Sequence, residues 1–152
     1  MNKVTFQAAL PEDLPEIMAL QVQVFAGEQQ IPEPLVRSVQ DAHPQWWCAM
    51  QNGKLLGTVA AWQENGVTHW GRFAVQPAFR GQGIGKQLAR YSMEQLFAQQ
   101  VQRIYMEARE ATVHIICQMG GVVIGPAEPF FVGTVTPVEL TSKNFTQRSN
   151  TI

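Results

Sequence analysis

In Trp70–Gln99, WGRFAVQPAFRGQGIGKQLARYSMEQLFAQ, a strand, a glycine-rich turn and an amphipathic helix follow one another. Gly71-Arg72-Phe73-Ala74-Val75 is β-compatible, and Pro77 closes the strand because it has no N–H for a ladder. Arg80-Gly81-Gln82-Gly83-Ile84-Gly85 then places glycines on alternate positions ahead of a helical run. Ile84, Leu88, Ala89, Met93, Leu96 and Phe97 recur with helical spacing and line one face. Glycine lets backbone approach a ligand, and the first N–H groups of a helix have no intrahelical partner. With the positive end of the helix dipole behind them, they suit a phosphate or pyrophosphate. Arg80 and Lys86 flank the loop and add charge where that anion would sit.

Three phosphate-loop readings compete for this stretch. A Walker-type loop needs Ser or Thr after Gly-Lys, but Gly85-Lys86 is followed by Gln87, so the magnesium-ligating hydroxyl is missing. A dinucleotide fingerprint puts its first glycine directly after the strand, whereas here a proline and several residues intervene. The third pattern fits without a gap. Val75-Gln76-Pro77-Ala78-Phe79-Arg80-Gly81-Gln82-Gly83-Ile84-Gly85 resembles the coenzyme A pyrophosphate loop of GNAT acetyltransferases, Gln/Arg-x-x-Gly-x-Gly/Ala after a strand ending in Val-x-Pro.

The rest of the chain is consistent with that frame. Val4–Ala8 reads as a strand, and Pro11-Glu12-Asp13 opens a helix. Its phase is Leu14, Ile17, Met18, Gln21, Val24 and Phe25, with Gln21 the one polar break and Gly27 a stop. Pro32 and Pro34 make the next segment irregular or briefly helical. Trp46–Met50, Leu55–Trp62 and Val67–Val75 are strands joined by Asn52-Gly53 and Asn65-Gly66 hairpins. After the central helix come a strand at Arg103–Ala108 and a short helix from Thr112 to Met119, closed by Gly120-Gly121. Val122–Ile124 and Phe130–Val138 supply a last strand or two.

The 152 residues are read as one domain over 1–141, with 142–152 a polar, frayed tail. Net charge is −1, which leaves no basic footprint for nucleic acid or an anionic membrane. No run is long enough to span a bilayer, and the start lacks a signal-peptide core. Cys48 and Cys117 lack metal-ligand spacing and read as buried, reduced thiols of a cytoplasmic protein without a metal.

The element order is α+β, and the resemblance implies the GNAT fold. That fold is a mixed central sheet splayed between its fourth and fifth strands, with helices on both faces. It further implies acetyl-CoA as acyl donor, held by backbone of Phe73, Ala74 and Val75 and by Arg80, Gly81, Gln82, Gly83, Ile84, Gly85 and Lys86. The partners implied are acetyl-CoA and an amine of a small molecule or protein, with the chain a monomer or homodimer. Val24-Phe25-Ala26-Gly27-Glu28-Gln29-Gln30-Ile31-Pro32 and Gly71-Arg72-Phe73-Ala74-Val75 are similar to segments of the small bacterial ElaA-like and YjcF-like branch.

One region departs from the branch. Ala111 stands where it carries His, and Ile116 where it carries the Tyr that protonates the departing thiolate. Glu28 is the leading candidate general base by its motif position, against the alternative of an exposed acid at a helix end or a partner for Arg72. Glu107 and Tyr105, alternating on the fifth strand, can face the cleft. Glu107 is otherwise a partner for Arg72 or Arg103, and Tyr105 core or rim packing. His69 reads as a surface strand residue, His43 as loop structure, and His114 as a weak substitute for the missing tyrosine. Cys117 has no base beside it in the pattern. An N-acyltransferase acting by direct attack in a ternary complex is the first reading. A non-catalytic acyl-CoA sensor or interaction module is the second, and a nucleotide or other phosphate binder the third.

Overall fold

Consecutive strands rich in Val, Leu, Ala and Trp give a sheet that must be covered on both faces. The computed structural model describes residues 3–149. Its strands are β1 (Thr5–Ala8), β2 (Gln45–Gln51), β3 (Lys54–Glu64), β4 (Val67–Val75), β5 (Arg103–Ala108), β6 (Val122–Val123), β7 (Glu128–Pro129) and β8 (Thr134–Thr141). They lie in the order β1-β2-β3-β4-β5-β8-β6, with β7 pairing to β8 off that path. The helices are α1 (Leu14–Gln21), α2 (Glu33–Arg37), α3 (Ile84–Ala98), α4 (Glu110–Gln118) and α5 (Ser142–Ser149).

β1 to β4 pair antiparallel with their sequence or sheet neighbours. Both Asn-Gly hairpins have positive φ at each central residue, the turn geometry that matches strand twist. α3 then carries the chain back so that β5 joins β4 in parallel. That pairing covers only Thr68↔Ile104 and His69↔Tyr105. Beyond it the two strands part, which is the splay expected between the fourth and fifth strands.

Two apolar layers flank the sheet. On one side Leu88, Met93 and Leu96 of α3 and Ile116 of α4 pack on Trp47, Leu56, Ile104 and Met106. On the other, Ile17 and Leu20 of α1, Val36 of α2 and Phe25 pack on Trp46, Cys48 and Ala60. α1 does not stop at Gly27. It widens into a π-helical turn over Val22–Glu28, ending one residue later, with Gln29 N–H donating to the Val24 carbonyl at 3.2 Å.

The polar tail differs from the expected frayed segment, since Ser142–Ser149 is helical. Phe145 anchors it, with its ring centroid 5.1 Å from that of Phe97 and Arg90 over its face at 5.6 Å. Thr141 Oγ1 caps it by accepting from Asn144 N–H at 3.1 Å. A single buried aromatic gives no periodicity to read. Residues 150–152 of that tail lie outside the described residues. Cys48 is fully buried as expected, whereas Cys117 is only half-buried.

Candidate active site

The site begins with an irregularity in β4. Gly71 pairs with Ala60 and Ala74 with Thr58, so β4 carries one residue more than β3 between these positions. The extra residue is accommodated at Arg72, whose φ of 56° is left-handed and strained for a side chain with a Cβ. Gln21 holds it. Its Nε2 donates to the Arg72 carbonyl at 2.7 Å and to Thr58 Oγ1 at 3.0 Å, while its Oε1 has no partner among the described residues. The Arg72 guanidinium donates to the Val36 and Leu35 carbonyls at 2.7 and 3.1 Å, at the carbonyl-rich end of α2. Burial lowers its pKa, yet an arginine starts high enough to stay charged. Arg72 thus pairs with backbone, and with neither Glu28 nor Glu107.

Past this bulge the edges of 71–75 and 106–108 face one another without pairing. Phe73, Ala74 and Val75 lie along that open edge. The chain then makes a single 3-10 turn, Pro77–Phe79, and enters the glycine loop. Gly81 and Gly83 have φ of 80° and 81°, conformations that need glycine, and Gly83 caps α3. No side chain caps α3, so the N–H groups of Ile84, Gly85 and Lys86 point out of the helix end without a side-chain acceptor. Gly85 serves a different need, because a Cβ there would lie 3.1 Å from Phe73 Cζ. Ile84 itself is core and offers only backbone. Lys86 and Gln82 are exposed at the loop.

Glu28 stands at the mouth of the splay, but not as a free carboxylate. Its Oε1 and Oε2 accept from Arg80 Nη1 and Nη2 at 2.8 and 3.0 Å, a bidentate fork. Arg80 Nε donates in turn to the Val75 carbonyl at 3.0 Å. The next residue is tied to the other wall, with Arg109 Nε donating to Gln29 Oε1 at 2.9 Å. Arg109 follows β5 directly, and its Nη1 also donates to the carbonyls of Phe130, at 3.0 Å, and Val132. Burial lowers its pKa, and Nη2 has no partner. This arginine, standing where the resembled branch reads Gln, was not anticipated as part of the site.

At the vertex the cross-strand register sets Trp62, His69, Tyr105 and Glu139 side by side on the α1–α2 face. His69 is half-buried, stacked on Trp62 (centroids 5.8 Å apart) and edge-on to Tyr105 (5.2 Å). It therefore packs between two aromatic neighbours at the vertex, with Nε2 3.6 Å from Glu64 Oε2, and does not stand free on the strand surface. Burial raises the Tyr105 pKa, and the charge and hydrogen-bonding reach of Glu107, then the charge of Glu128, raise it further. Glu107, two residues on along the same face of β5, is exposed, and Arg103 lies 3.6 Å from Glu139 instead.

On α4, Ile116 is fully buried and its carbonyl accepts from Met119 and Gly121 N–H at 3.0 and 2.9 Å. No proton donor replaces the tyrosine there. Ala111 lines an open cleft of about 810 Å³ with Arg109, Glu110, His114, Gly133 and Thr134. The His114 ring lies 3.3 Å from Gln118 Nε2 on the exposed side of the helix. Burial pushes the Cys48 thiol up to about 12, which leaves it inert at neutral pH. His43 has a left-handed φ of 49° and ends a 3-10 turn, a loop role as expected.

Known proteins bear directly on this architecture. A family model described as Acetyltransferase (GNAT) family matches residues 14–117. No curated protein matches the chain in sequence. Solved structures similar to it include Escherichia coli ElaA, at 16% identity and a TM-score of 0.76, covering 91% of this chain and 99% of that one. An acyl-CoA N-acyltransferase from Pseudomonas aeruginosa shares 18% identity with a TM-score of 0.75, over 91% and 99%. Spermidine N-acetyltransferase from Vibrio cholerae, in complex with CoA and spermine, shares 17% with a TM-score of 0.72, over 94% and 98%. At such identities the likeness is one of fold. Among the described residues no helix is long and apolar enough to cross a membrane. The matched span runs from α1 through the splay and the glycine loop into α4, and with it the chain belongs to the acetyltransferase (GNAT) family.

Proposed function

We propose that this chain is an N-acetyltransferase that moves the acetyl group of acetyl-CoA onto an amine by direct attack in a ternary complex. One observation carries the reading: the uncapped, glycine-shaped start of α3 opens onto the unpaired edge of β4. The N–H groups of Ile84, Gly85 and Lys86, with Arg80 beside them, receive the pyrophosphate. Phe73, Ala74 and Val75 bond the pantetheine arm as an added strand. N–H groups of β4 past the Arg72 bulge then lie where negative charge grows on the thioester oxygen.

The α1–α2 face of the vertex receives the acceptor. An amine arrives largely as ammonium, and Glu107 takes its first proton, leaving a nucleophilic lone pair. Tyr105, held neutral by burial and by the Glu107 and Glu128 charges, serves as a hydrogen-bond donor beside it. The amine nitrogen bonds to the carbonyl carbon and the carbon–sulfur bond breaks. The second proton of the nitrogen ends on the thiolate, so the atoms balance without an acid at position 116. Half-buried and fully buried free thiols, Cys117 and Cys48, fit a reducing cytoplasm.

Buried Ile116 favours a second reading, an acyl-CoA-binding module without turnover. Thiol release and acylated product, followed across a panel of small amines and lysine peptides, separate the two. Amine-dependent release that falls about a hundredfold or more in Glu107→Gln supports transfer. Binding of acetyl-CoA with no amine-dependent release overturns it.

A further inference from the structure

Glu28 and Gln29 are neighbours in the chain, yet each is held by an arginine from a different wall of the splay. Arg80 comes from the loop after β4 and Arg109 from the end of β5. We infer that the Glu28 carboxylate is an intramolecular stand-in for the pyrophosphate of the donor. Donor binding exchanges Glu28 off Arg80 and frees one end of the Glu28–Gln29 turn, while Arg109 keeps the other. The inference rests on the acetyl-CoA reading and adds a linkage between the donor loop and the acceptor-side turn.

Three features support the exchange. Arg80 is the residue immediately before Gly81, and its Nε bond to the Val75 carbonyl fixes the direction in which its fork points. The facing Nη1–Nη2 fork is filled by both oxygens of the Glu28 carboxylate and Nε by the Val75 carbonyl, so a pyrophosphate oxygen pair that takes the same fork displaces Glu28. Arg80 and Glu28 are 43% and 40% exposed, and ion pairs this open to water are weak enough to be displaced. Beside the Glu28 contact the turn is held by two backbone bonds, from Gln29 N–H to the Val24 carbonyl at 3.2 Å and from Ile31 N–H to the Phe25 carbonyl at 2.9 Å. Gln30 beside it has a left-handed φ of 58°, a strained conformation for a residue with a Cβ. Release of Glu28 therefore leaves those two backbone bonds to hold a turn that contains a strained residue, on the side of the sheet where the amine enters.

Calorimetric titration with coenzyme A tests this on wild type, Glu28→Gln and Glu33→Gln. Glu33 pairs with Arg37 on the exposed side of α2 and controls for loss of one negative charge. Glu28→Gln is expected to lower Kd about two- to fivefold, with Glu33→Gln unchanged. Hydrogen exchange at the Gln29 and Ile31 amides is expected to speed up when coenzyme A binds the wild type. Equal Kd values in wild type and Glu28→Gln, an equal gain in Glu33→Gln, or slower exchange at those amides overturns the inference. A folded wild type that binds no coenzyme A instead removes the donor reading on which it rests.

Discussion

Gln21 is the residue whose removal most directly probes how β4 is bent. It is wholly buried, as is Thr58. Gln21→Leu leaves the Arg72 carbonyl without its 2.7 Å donor, at about 1–3 kcal/mol for a buried acceptor, and removes the Thr58 contact, at about 0.5–1.5 kcal/mol. Leucine also removes the Oε1 that has no partner, which offsets about 1–2 kcal/mol. The net loss is about 1.5 kcal/mol, or roughly 3–6 °C in Tm for a chain of this length. Urea unfolding of wild type, Gln21→Leu, Thr58→Val and the double variant separates the two bonds. The Thr58 part appears as a coupling of about 0.5–1.5 kcal/mol, and the remainder belongs to the Arg72 carbonyl. Because that carbonyl sits on the left-handed residue, Gln21→Leu should also weaken acetyl-CoA binding at temperatures where the protein is fully folded. A loss below about 0.5 kcal/mol with unchanged donor affinity refutes the claim that Gln21 holds the bulge.

Further predictions concern burial and titration. Cys48 has an ordinary thiol value of 9.0 and a folded value of about 12, so stability is flat below pH 9. Above it only the unfolded chain loses the proton, and stability falls by about 1.4 kcal/mol per pH unit; Cys48→Ala should lack that slope in alkaline urea melts. Gly57→Ala puts a Cβ 3.1 Å from the Ala74 carbonyl oxygen and 3.4 Å from Leu88 Cδ2. Backbone cannot swing away, so a loss of about 1–3 kcal/mol is expected in the same melts. Tyr105 should ionise above the usual tyrosine range, and Glu107→Gln should bring it down in an ultraviolet pH titration. An unchanged Tyr105 titration in that variant argues against an influence of Glu107 on Tyr105.

Much of this architecture was legible because it depends on local patterns. Asn-Gly pairs, strand alternation and the helical phase of Ile84 to Phe97 each depend on a few neighbouring residues, and β2 to β5 and α3 follow them closely. The glycine loop was legible for the same reason, since Gly81 and Gly83 meet a backbone need wherever the chain is. Partners distant in sequence were not legible. Glu28 meets Arg80 across 52 positions and Arg109 meets Gln29 across 80, and nothing local selects Arg80 over Arg72. Register decides the setting of His69, because the pairing of Trp62, His69 and Tyr105 puts a strand histidine between two aromatic rings. Gln21, the single polar break on an apolar helix face, marked the side chain that bonds the β4 bulge. Phe145 shows the opposite limit, where one aromatic orders a helix that composition describes as tail.

Calorimetry with acetyl-CoA on wild type and Gly83→Glu tests the donor site most directly. Gly83 has a φ of 81° at the start of α3, so glutamate there strains the loop and sets a carboxylate on the anion position. Saturable binding by wild type, lost in a Gly83→Glu protein that keeps its circular dichroism spectrum, is the expected result. No binding by folded wild type, or equal binding by both proteins, would contradict the assignment of the glycine loop as the pyrophosphate site.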